Sequence, residues 1–85
     1  MDKYKAGVVS VTTGGSTVTP DFDAEYVDIY AVDGDIKFRI KNKAGWGDYI
    51  NVYEGTAVDV KLNVDAVEIV SLLGTVSVEY LFTEK

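Results

Sequence analysis

Apolar and polar side chains alternate along most of this sequence with a period of two. Ile36, Phe38 and Ile40 alternate with Lys37, Arg39 and Lys41, and Val58, Val60 and Leu62 alternate with Asp59, Lys61 and Asn63. Near the end Val76, Val78, Tyr80 and Phe82 alternate with Ser77, Glu79 and Leu81. Successive side chains of a strand point to opposite faces, so this pattern buries one face of each segment and wets the other. The abundant valine, isoleucine, threonine and tyrosine suit a half-buried pleated surface. No segment of ten or more residues carries the 3.6-residue spacing of a helix. The chain reads as all-β.

Turn signals divide it further. Asp33-Gly34 stands between two alternating segments, and Asp-Gly suits the positive φ angles of a type I′ hairpin turn. A two-residue loop there sets Ala31 opposite Ile36, Ile29 opposite Phe38 and Val27 opposite Ile40, one wholly apolar face. The other face then pairs Asp28 with Arg39 and Tyr30 with Lys37, and places Tyr26 near Lys41. Thr13-Gly14-Gly15-Ser16 separates a strand at about 5–12 from a short one at 17–19, which Pro20 ends. Asn42 to Asp48 is the longest loop, with Trp46 between Gly45 and Gly47. Glu54-Gly55 joins strands at 49–53 and 56–62, and Leu73-Gly74 joins strands at 66–72 and 75–82. About seven or eight short strands in 85 residues predict a single all-β domain over 1–85, a small antiparallel sandwich or barrel of jelly-roll or Ig-like type.

What the chain lacks narrows its chemistry. With no cysteine it has neither a disulfide nor a thiolate ligand, and with no histidine it loses the commonest general base and transition-metal ligand. Ser10, Ser16, Ser71 and Ser77 have no histidine to activate them, and no glycine-rich phosphate loop leads into a helix. An enzyme is not expected, and no cofactor is implied. Eight Lys/Arg against fourteen Asp/Glu give a net charge of −6, which disfavours nucleic acid. No apolar run approaches the roughly 20 residues of a membrane span, and Met1 to Lys5 lack a secretory apolar stretch. A cytoplasmic protein, or one released by lysis or inside a particle, is expected.

Three groups of residues remain. Asp21, Asp23 and Glu25 would project to one side of an extended segment and offer oxygens to calcium, which takes about 6–8 of them. They lack the calcium-loop pattern, and a solvated strand face is the simpler reading. Lys37, Arg39, Lys41 and Lys43 form a cationic stripe along one strand and its exit, which Asp28 partly balances in the hairpin register. Tyr26, Tyr30, Trp46, Tyr49 and Tyr53 exceed what one core needs. Tyrosine and tryptophan combine contact area with a polar handle, which favours protein interfaces and also permits stacking on sugars. These five are the candidate contact residues, with Lys37, Arg39 and Lys41 as their polar rim.

The order of segments carries a resemblance. Gly7 to Thr12 leads through Gly14-Gly15 to a threonine-rich strand, then Tyr26-Val27-Asp28-Ile29-Tyr30 and Ile36-Lys37-Phe38-Arg39-Ile40 flank Asp-Gly. Tyr53-Glu54-Gly55-Thr56 precedes Val58 to Leu62, and Val67-Glu68-Ile69-Val70 precedes Thr75 to Phe82. In this the chain resembles the small β-sandwich accessory proteins of tailed bacteriophage virions: decoration, auxiliary capsid and head-fibre components. The resemblance implies a noncatalytic structural protein located in the virion, whose partners are copies of itself and a capsid or tail protein. A glycan-binding β-sandwich module is the alternative, with Trp46 and the tyrosines as stacking platforms.

Overall fold

The structure is a computed structural model that describes residues 3–84. Its strands, in chain order, are β1 (Tyr4–Val11), β2 (Ser16–Val18), β3 (Tyr26–Ala31), β4 (Ile36–Asn42), β5 (Gly45–Trp46), β6 (Ile50–Val52), β7 (Ala57–Val60), β8 (Ala66–Ser71) and β9 (Val76–Thr83). They form two antiparallel sheets. The front sheet has the order β1-β9-β3-β7, and the back sheet runs β2-β8-β4, with β5 and β6 both on the far edge of β4. The fold is the expected all-β sandwich, with nine strands among the described residues rather than seven or eight. The additional strand is β5, inside the segment expected to be a loop.

Every connection except those from β4 through β5 to β6 crosses from one sheet to the other. This interleaving is the jelly-roll arrangement. It overturns the expected hairpin between β3 and β4. β3 lies between β9 and β7 in the front sheet, with Asp28 opposite Leu81 on one side and Asp59 on the other. β4 lies between β8 and β6 in the back sheet, with Arg39 opposite Glu68 and Lys37 opposite Val70 and Asn51. Val27, Ile29, Ala31, Ile36, Phe38 and Ile40 are all buried, as the alternation required, but they meet across the sandwich and not side by side.

The turn itself shows why. Neither Asp33 nor Gly34 has a positive φ, so this is not a type I′ turn. A Cβ at Gly34 would run into Val76 Cγ1, so glycine is required here for close approach. Asp33 Oδ1 accepts the Ser77 N–H at 2.8 Å and Asp35 Oδ1 accepts the Glu54 N–H at 2.8 Å, which ties the crossing to the start of β9 and to the β6–β7 connection. Among the described residues, the one tight hairpin lies later. Lys41 faces Trp46 and Asn42 faces Gly45, Asn42 Oδ1 accepts the Ala44 N–H at 2.9 Å, and Gly45 closes the turn at φ 104°.

The core fills the space between the sheets with Phe38, Phe82, Ile29, Ile36 and Ile69 as its largest fully buried side chains. The molecule is flat, 36 × 25 × 17 Å, so its two broad outer faces dominate its surface.

Candidate contact faces

β4 runs through the back sheet with Ile36, Phe38 and Ile40 inward, which forces Lys37, Arg39 and Lys41 outward in a row. The β4–β5 turn folds Trp46 back opposite Lys41, and the chain then carries Tyr49 past β4 before β6 begins. Aromatic and cationic groups consequently interleave. The Arg39 guanidinium lies 4.7 Å from the Trp46 ring and 4.9 Å from that of Tyr49. Lys37 Nζ is 4.5 Å from the Tyr49 ring and Lys41 Nζ is 6.0 Å from Trp46. Such cation–π contacts attract the charge to the ring face and align both groups.

Glu68, on neighbouring β8, fastens this array. Its Oε1 accepts from Arg39 Nε at 2.7 Å and from the Tyr49 hydroxyl at 2.6 Å. The Tyr49 and Arg39 hydrogen bonds hold the Glu68 carboxyl below the usual glutamate range, and the same bond from the Tyr49 hydroxyl pushes that phenol up. Sequence reasoning overlooked Glu68. Its signal was there: it is the single outward charge between the buried Val67 and Ile69. The charge partner of Arg39 is therefore Glu68 and not Asp28. Lys37 and Lys41 make no ion pair among the described residues.

The other candidates lie elsewhere. Tyr26 and Tyr30 are on the outer front face, and Tyr26 donates its hydroxyl to Asp59 Oδ2 at 3.2 Å, so it is not near Lys41. Tyr53 is exposed in the β6–β7 connection at one end of the sandwich. Five of the eight candidates, Lys37, Arg39, Lys41, Trp46 and Tyr49, thus share the back face. Trp46 stands on a strand and not in a loop.

Asp21, Asp23 and Glu25 do not line up. Asp21 adopts φ 67° and binds Lys5 Nζ at 2.9 Å, while Asp23 and Glu25 border a different hollow with Lys43, Asn63 and Asp65. The left-handed backbone at Asp21 breaks the extended geometry that the alternation presumed. Hydrogen bonds from Lys5 and Thr19, together with the lysine's charge, hold the Asp21 carboxyl below its ordinary range. No group of three or more Asp/Glu able to hold a metal ion occurs among the described residues.

The front face has the opposite character. Its outward strand positions include Asp28, Asp59 and Glu79 and no lysine or arginine. A shallow concavity of about 430 Å³ lies there, lined by Ala6, Val8, Asp28, Tyr30, Glu79 and Leu81. Asp28 borders it with a buried Oδ1 that has no hydrogen-bond partner, directly opposite Asp59. Burial, and then the charge of Asp59, push the Asp28 carboxyl above its ordinary range. A raised acid destabilises the folded chain progressively as pH climbs from the ordinary aspartate value to the raised one, and fully above it. Opposed like charges across strands cost about 0.2–1 kcal/mol. Asp28→Asn is therefore expected to raise the melting temperature at pH 7. The gain should shrink as pH falls through the raised Asp28 value and vanish below the ordinary aspartate range, which paired melts at pH 7 and pH 3 will show.

No family model and no curated protein matches this sequence. Solved structures do. A structure described as Bacillus endospore appendages forming a family of disulfide-linked pili is similar at TM-score 0.70 and 11% identity, over 98% of this chain and 83% of that one. Hydroxypropylphosphonic acid epoxidase from S. wedmorenis is similar at TM-score 0.64 and 14% identity, over 93% of this chain and 42% of that one. The iron(II) form of that enzyme, HppE, matches at 0.64 and 13%, over 93% and 43%. The chain spans less than half the length of these epoxidase chains. At such identities the likeness is one of fold.

Proposed function

We propose that this chain is a noncatalytic structural subunit that works through protein–protein contacts made by its back face, as a virion accessory or fibre component does. Its partners are copies of itself and a capsid or tail neighbour. The observation that carries this reading is the pre-aligned row of Lys37, Tyr49, Arg39, Trp46 and Lys41 on an open, flat face. Arginine, tyrosine and tryptophan are the residues that dominate binding energy at protein interfaces. Holding them in place before contact reduces the ordering cost of association. The absence of histidine and cysteine from the sequence supports the noncatalytic part of the reading. The likeness to a pilus component supports a repeating assembly, although without cysteine this chain's contacts would hold without disulfides.

Trp46 is the sole tryptophan, so its emission reports on this face alone. Raising the protein concentration is expected to drive association in sedimentation velocity, with a blue shift of Trp46 emission as the ring leaves water. Tyr49→Ala should weaken both effects by about tenfold, the loss of one modest interface anchor. A strict monomer that binds a defined sugar on a glycan array, and loses it in Trp46→Ala, would overturn the reading in favour of a glycan-binding module.

A further inference from the structure

The two outer faces are complementary to each other. Lys37, Arg39 and Lys41 against Glu68 leave the back face cationic, whereas Asp28, Asp59 and Glu79 make the front face acidic. The shapes agree as well, because Trp46 and Tyr49 stand partly exposed on the back while the front is hollowed. Its rim includes the buried, unpartnered Asp28 Oδ1, an acceptor in need of a donor. The flat faces of a molecule 36 × 25 Å across are commensurate with the roughly 800 Å² per partner of a standard interface.

We infer that the back face of one copy seats on the front face of the next, so that the chain self-associates head to tail. This rests on the reading of the back face as a contact surface and adds what covers it. A surface that meets a different surface on its partner does not close on itself as a two-fold dimer does; it propagates into a ring or an open stack. An open stack then ends in one free acidic face and one free cationic face. The attraction is largely between solvent-facing charges, so added salt should weaken it. Asp28 gains value in this arrangement. The acid that costs stability in the isolated subunit becomes a paired acceptor in the stack.

Charge reversal tests this directly. One variant carries Asp59→Lys and Glu79→Lys, two exposed front positions, and the other carries Lys37→Glu and Lys41→Glu on the back. Thermal melts followed by circular dichroism establish that both fold. In sedimentation velocity at low salt the parent chain should grow with concentration, while each variant alone should associate at least tenfold more weakly. An equimolar mixture of the two should recover association, because a reversed front now faces a reversed back. A front variant that associates as the parent does, or a mixture that stays monomeric, would overturn head-to-tail stacking, as would a parent that never associates. None of these outcomes is sugar binding lost with Trp46, so the underlying reading fails by a separate result.

Discussion

Phe38→Ala is expected to remove about 3–5 kcal/mol of stability, as truncation of a fully buried phenylalanine does. Phe38 is completely inaccessible on the central part of β4, where Ile69 on one side and Ile50 on the other pair with it across the back sheet. Its inner face closes the sandwich. A chain of this size has about 4–12 kcal/mol in total, at the usual 0.05–0.15 kcal/mol per residue. Without disulfides, the loss therefore takes about a quarter or more of what holds the fold, and chemical denaturation should show a midpoint much lower with little change in slope. A cost under 1 kcal/mol would mean that Phe38 does not occupy the core in the way described.

Gly34→Ala is expected to cost about 1–3 kcal/mol by overpacking. The new methyl group meets Val76, which is buried and, being β-branched, cannot rotate aside cheaply. Val76→Ala should relieve part of that cost, so the double variant should be more stable than the two single losses added together. Coupling of about 0.5–3 kcal/mol is the scale for residues in contact. In a type I′ hairpin the penalty would come from φ at the glycine, and Val76 would have no part in it. Strictly additive losses would contradict the crossing described here.

This pair of residues also marks where the sequence stops being informative. Alternation identified the buried set from Val27 to Ile40 without error, because a period of two assigns faces whatever the strand pairing. It could not say that β3 and β4 enter different sheets. A hairpin and a crossing bury the same six side chains, and Asp-Gly serves either when its glycine is needed for closeness and not for φ. The signals that separate the two are long-range: Val76 beside Gly34, Ser77 on Asp33 and Glu54 on Asp35. None is adjacent in sequence.

The consequence for the contact site is direct. A hairpin would have placed Asp28 against Arg39 and neutralised the cationic stripe. The crossing instead sends the acids to one outer face and the cations to the other. Glu68 takes Arg39, and Asp28 is left beside Asp59. The aromatic surplus was legible residue by residue, yet its gathering was not. Trp46 and Tyr49 join the lysines only because Asn42 and Gly45 close a hairpin that sets Trp46 opposite Lys41, whereas Tyr26 and Tyr30 belong to the acidic side.

Separation of β3 from β4 is thus the claim on which the rest depends, and two engineered cysteine pairs in this cysteine-free chain test it. Tyr30 lies directly opposite Glu79 on β9. Facing residues in antiparallel strands have Cα atoms about 4.5–5.5 Å apart, within the roughly 4.4–6.8 Å that a disulfide spans. Tyr30→Cys with Glu79→Cys should close an intramolecular disulfide on mild oxidation at low concentration, read as a faster band on non-reducing electrophoresis. Tyr30→Cys with Lys37→Cys places the thiols on opposite outer faces and should stay reduced. Closure of the second pair and not the first would contradict the crossing, and with it the two faces of opposite charge.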